Sequence, residues 1–122
     1  MYLTVVVLNK EQDLSAVLEK FNEIGIVGAT ILESKGMGRK HIESEDVVFG
    51  GLRKLLFDQA RVHNKTIFLV VNSREEAESI INHIENTIGT FDEPGTGIAF
   101  ALPLSVTKGC LHNQFDILRE QK

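Results

Sequence analysis

The sequence predicts an α+β domain with the element order βαββαβ, an antiparallel sheet, and both helices on one face. Three observations point to it: two apolar runs of strand length, Tyr2–Leu8 and Thr66–Val71; a helix-period apolar stripe after each; and a further extended segment after each stripe. The 122 residues suit one domain, and 43% hydrophobic with 25% charged residues is the balance of a chain that folds around one core.

Residues 2–8 read YLTVVVL, β-branched at most positions, as in a central strand. From Asp13 to Ile24, Leu14, Val17, Leu18, Phe21 and Ile24 recur at helical spacing, and Gly25 stands where a left-handed cap ends a helix. Residues 28–35, GATILESK, resume an extended character. GMGRKHIESEDVVFGG then has no period, and its glycines at 36, 38, 50 and 51 bracket mixed charge, so it reads as a long functional loop. Leu52, Leu55, Leu56 and Val62 suggest a short amphipathic helix before the strand Thr66–Val71. Ser73 and Glu76 form a capping box, opening a helix whose Ala77, Ile80, Ile81, Ile84 and Ile88 make one face, closed by Gly89. The last strand is Gly97–Leu104, with Pro103 at its end or on an edge because proline donates no backbone hydrogen bond.

Strand–helix–strand thus occurs twice, which is the ferredoxin-like plan. Its helices cover one sheet face. The first and third strands are apolar at nearly every position, so the other face also needs a cover, and a cyclic homo-oligomer supplies one.

A formal net charge of −4 gives no general attraction to nucleic acid or to an anionic membrane. No apolar run reaches the ~20 residues of a membrane span, and Tyr2–Leu8 has no basic leader, so a cytoplasmic location is expected. The single cysteine, Cys110, excludes an internal disulfide and a multi-cysteine zinc site. His112 could share a face with it, yet no third catalytic member or oxyanion donor is visible. His41 with Glu43, Glu45 and Asp46 reads as a solvated acidic loop rather than a metal site. His63 falls near a strand start, and His83 borders the apolar face of the second helix. Asp92 and Glu93 read either as turn residues or as partners of Arg39. No nucleophile–base pair or desolvated carboxylate pair can be picked out.

Three glycine-rich places remain: GIVGAT (25–30), KGMGRK (35–40) and EPGTGIAF (93–100). Glycines let a backbone approach a phosphate, and successive N–H groups form an anion cradle, with Lys35, Arg39 and Lys40 adding charge. Taken singly each is an ordinary turn signal, since neither a dinucleotide fingerprint nor a P-loop is present.

In combination they resemble a known family. GIVGATILESKGMGR is similar to the part of P-II signal-transduction proteins where the second strand enters the flexible T-loop, and PGTGIAFALP resembles their B-loop and final strand. The resemblance covers residues 1–104, with 36–64 as an extended T-loop-like segment and 105–122 as a C-terminal tail. It implies a homotrimer with ATP or ADP in clefts between subunits. Gly28 and Thr30 would lie near adenine and ribose, and Gly36, Gly38 and Arg39 would face the phosphates. The adjacent subunit would supply Gly95, Thr96 and Gly97. It also implies a regulatory protein, not an enzyme, with no prosthetic group and with a transporter or metabolic enzyme as target.

The chain departs from the family pattern in places. Ile98 stands where a lysine usually follows the second B-loop glycine, and Gly109 and Leu111 lie where arginines usually occur, which implies weaker phosphate affinity or fewer phosphates. Lys40 replaces a glutamine that helps hold magnesium and 2-oxoglutarate. An ammonium cannot ligate magnesium, so 2-oxoglutarate sensing is not expected, and the role of magnesium stays open. The only tyrosine is Tyr2, so uridylylation in the loop is not expected either. Two other readings stay open: a trimeric ferredoxin-like protein binding a metal or another small ligand, as in divalent-metal-tolerance proteins, and a small-molecule enzyme on the same fold.

Overall fold

The computed structural model describes residues 1–37 and 62–109. Among these the elements run β1 (Tyr2–Leu8), α1 (Glu11–Ile24), β2 (Thr30–Gly36), β3 (Val62–Val71), α2 (Arg74–Ile88) and β4 (Gly97–Pro103). The strands form one antiparallel sheet in the order β2-β3-β1-β4. That is the ferredoxin-like arrangement expected, with β3 inserted between the parallel pair β1 and β2.

Side chains alternate across a strand, so the register sorts every residue to a face. Tyr2, Thr4, Val6 and Leu8 of β1 stand beside Ile67, Leu69 and Val71 of β3 on the side that carries the helices. Val17, Phe21 and Ile24 of α1 and Ala77, Ile80 and Ile84 of α2 complete this core. Ile80 and Ile84 are 0% exposed, and complete burial of such a side chain contributes about 1.5–3 kcal/mol. Thr4 is equally buried, but its hydroxyl has no hydrogen-bond partner.

The opposite face carries Leu3, Val5 and Val7, flanked by Thr66, Phe68 and Val70 on one side and by Ile98, Phe100 and Leu102 on the other. No described helix lies over it. Ile98, Phe100 and Leu102 are 55%, 45% and 40% exposed, and Leu32 of β2 is 45% exposed. An apolar strip this continuous calls for a cover, which no described element supplies.

Local chemistry sets the element ends. Gly25 caps α1 at φ 87°, in the left-handed region a glycine enters without strain. Ser73 Oγ accepts the Glu76 amide at 3.1 Å, and the Glu76 carboxylate reaches back to the amide of Asn72 at 3.1 Å, one residue before the cap. α1 starts two residues earlier than its apolar stripe, because Glu11 and Gln12 carry no periodic signal while acids suit a helix N-terminus. β2 begins at Thr30 rather than Gly28.

The largest difference is β3, which begins at Val62 instead of Thr66. Val62 therefore belongs to a strand and not to a helix, and Val62–Asn64 leave the connecting segment. Polar residues hid these positions: His63, Asn64 and Lys65 pair with Lys35, Ser34 and Glu33 of β2. The Ser34 hydroxyl meets Asn64 Oδ1 and lies 2.7 Å from the Thr66 hydroxyl, and Lys65 Nζ binds Glu33 at 2.5 Å. The helix expected from Leu52, the Gly38–Gly51 loop and the segment from Cys110 onward lie outside the described residues.

Candidate functional site

Gly28 and Thr30 enter β2, and Gly36 ends it, so all three lie along one edge of the sheet. Gly28 and Thr30 are exposed and Gly36 is half-buried. Gly38 and Arg39 lie just outside the described residues. Gly95, Thr96 and Gly97 lead into β4, the opposite edge. With β1 and β3 between, the two sets stand about 14 Å apart, three strand spacings, in a single chain. The structure brings Gly95, Thr96 and Gly97 together, and it separates them from the β2 set.

The β4 set is built by a tight turn. Thr96 N–H donates to the Glu93 carbonyl at 3.3 Å, with Pro94 and Gly95 between. Proline followed by a glycine at φ 92° is the signature of a type II turn. Thr96 is buried, and its carbonyl accepts the Asn9 amide at 3.3 Å, tying the turn to the end of β1. Gly97, at φ 135°, lies so close to β1 that a Cβ there would overlap the Val7 carbonyl oxygen. This glycine is required by the sheet itself, whatever else it contacts.

Charge divides the two edges. From Gly89 to Pro103 the charged residues are Asp92 and Glu93, both acidic and exposed, and Ile98 opens onto solvent. That stretch therefore offers backbone donors and no positive charge of its own. The β2 edge carries Lys35, exposed at its end. Next to it Lys65 is held between Glu33 at 2.5 Å and Glu11 at 3.8 Å. The hydrogen bond and charge of Lys65 hold the Glu33 carboxyl below its ordinary value, and Glu33 in turn raises the Lys65 ammonium. Lys65 is thus committed within the sheet.

A recess of about 190 Å³ lined by Glu11, Glu33, His63, Asn64 and Lys65 adjoins that pair. Depressions of about 380 and 370 Å³ lie on the outer faces of α2 and α1, and none of the candidate residues lines them. No group of three or more His, Cys, Asp or Glu able to hold a metal occurs among the described residues. His41, Glu43, Glu45, Asp46, Cys110 and His112 lie outside them. His83 lies half-buried on α2, where desolvation, and then the Lys20 charge, lower its pKa. No helix among the described residues is long and apolar enough to cross a membrane.

One feature of the site escaped sequence reasoning. Glu85, in α2, accepts hydrogen bonds from Thr90 and Phe91 at the root of the turn. A five- or six-residue separation across a helix end carries no periodic signal, and only the Thr after Gly89 hints at it.

No curated protein sequence matches the chain. Among solved structures, the crystal structure of Arabidopsis thaliana PII bound to citrate matches with a TM-score of 0.59 and 24% identity, covering 85% of this chain and 77% of that one. This likeness shows the fold. Residues 2–110 match the family described as nitrogen regulatory protein P-II, which spans the sheet, both described helices and the Gly95–Gly97 turn. The chain belongs to the nitrogen regulatory protein P-II family.

Proposed function

We propose that this protein is a cytoplasmic regulator, not an enzyme, that assembles as a homotrimer and binds ATP or ADP in clefts between subunits. The separation of its two glycine-rich sets to opposite sheet edges carries the reading. A site using Gly28, Thr30 and Gly36, with Gly38 and Arg39 next in sequence, together with Gly95, Thr96 and Gly97 calls for two copies of the chain, because about 14 Å and two strands stand between Gly28, Thr30 and Gly36 and the β4 set in one copy. The apolar sheet face supports the same assembly: it adjoins both edges, and no element among the described residues covers it.

In this arrangement the β4 edge donates hydrogen bonds to the ligand, while Arg39 and Lys35 of the other copy meet the phosphate charge. The uncharged, acid-flanked β4 edge supports a preference for fewer phosphates. The Arabidopsis relative was crystallised with citrate, a small anion, which supports a small-ligand site in general terms. Ligand occupancy then sets the order of residues 38–51, through which a transporter or metabolic enzyme is addressed.

Calorimetric titration with ATP, ADP and AMP, with and without magnesium, tests this on the wild type and on Arg39→Ala. Micromolar binding that weakens about tenfold in the variant is expected, the size of one charge-assisted contact. Absence of binding by all three nucleotides overturns the nucleotide reading. Protease sensitivity of residues 38–51 that is the same with and without nucleotide overturns the signalling step.

A further inference from the structure

Glu85 lies in the last turn of α2, where the helix already presents partial negative charge and a carboxylate is disfavoured. Other contacts hold it there. Its Oε2 accepts the Phe91 amide at 2.8 Å and the Thr90 hydroxyl at 3.1 Å, and its backbone carbonyl accepts the Gly89 amide at 2.9 Å. Bonding continues from Thr90, whose hydroxyl oxygen accepts the Asp92 amide at 3.1 Å and whose carbonyl accepts the Glu93 amide at 3.3 Å. Glu93 then accepts Thr96, and Thr96 accepts Asn9, each at 3.3 Å.

The chain of bonds therefore runs unbroken from a side chain of α2 to the end of β1. Phe91 packs against the core beneath it. The Gly95 amide, on an exposed residue of this turn, has no hydrogen-bond partner among the described residues and is left for a ligand. The geometry points to Glu85 as a positioning residue that holds the 89–97 turn in its ligand-ready shape. The assignment rests on the nucleotide reading for its ligand, and on the hydrogen bonds alone for its hold on the turn. A turn fixed in advance gives affinity because the ligand does not have to order it.

The test compares wild type, Glu85→Ala and Glu85→Gln by calorimetric titration with ADP and by amide hydrogen exchange. Glu85→Ala is expected to weaken ADP about tenfold and to speed exchange at Phe91, Asp92 and Thr96 by a similar factor, the size of one to two lost hydrogen bonds. Ile80 and Ile84 should stay protected. Glu85→Gln keeps an oxygen acceptor and should remain within about twofold of wild type in both measurements. ADP affinity unchanged in Glu85→Ala, or a loss shared equally by Glu85→Gln, overturns the assignment. If the wild type binds no ADP, the nucleotide reading falls, and exchange still decides: wild-type rates at Phe91 and Thr96 in Glu85→Ala overturn the hold on the turn.

Discussion

The two faces of the sheet are finished to different degrees. On the helix side, Val6, Leu8, Ile67, Leu69 and Val71 are sealed by α1 and α2, with exposures of 2% or less. On the other side Ile98, Phe100 and Leu102 are apolar in type but 40% exposed or more. Both faces are written in the same residue alphabet. What separates them is that, among the described residues, only one has a cover. Stability of the single chain thus resides on the helix side, and the association proposed above would use the open side.

Substitutions on the two faces should accordingly fail in different ways. Ile80→Ala opens a cavity in the sealed core and should cost about 2–5 kcal/mol, read as a lower denaturant midpoint. A loss below about 1 kcal/mol would mean that α2 is loosely seated. Thr4→Val, in the same core, should raise stability by about 1 kcal/mol, because it removes a buried hydroxyl without a partner at nearly constant volume. A fall in stability would show that the hydroxyl is satisfied in solution.

Phe100→Glu on the open face should change single-chain stability by no more than about 0.5 kcal/mol, yet lower the mass seen in sedimentation. If wild type and variant both sediment as single chains, the open face is not where copies meet. The smallest effect concerns His83. Its folded pKa lies below the ordinary 6.5, so the unfolded chain binds the proton more readily. The stability this histidine contributes is complete above pH 6.5 and is lost as pH falls through the folded value. A denaturation series from pH 8 to 5 should show the decline, and His83→Gln should flatten that part of it.

How much of this was legible in the sequence depended on whether a residue's reason for being there was periodic. β1 was readable because it is a nearly unbroken β-branched apolar run of strand length, and α2 because its apolar residues recur at three to four positions. The first four residues of β3 were not, because Val62–Lys65 earn their place by pairing with Gly36, Lys35, Ser34 and Glu33 across the sheet. Pro94-Gly95 announced a turn, and the turn is there. That Gly97 lies against the Val7 carbonyl, or that Glu85 reaches across the end of its helix to Phe91, depends on strand contacts and helix-end geometry without a period. The glycine-rich sets were visible in the sequence and the family resemblance gave them a role, but their position on opposite sheet edges emerged only from strand order.

Gly36 is paired directly with Val62, so the connection between β2 and β3 departs and returns at neighbouring points of a hydrogen-bonded ladder. Its span is set by the ladder, not by its length. Doubling such a closed connection costs only about 0.6 kcal/mol of chain entropy. The sheet can therefore serve as a fixed socket: beyond Arg39 the connection can be shortened or lengthened before it rejoins the ladder at Val62, while the framework and its register stay as they are.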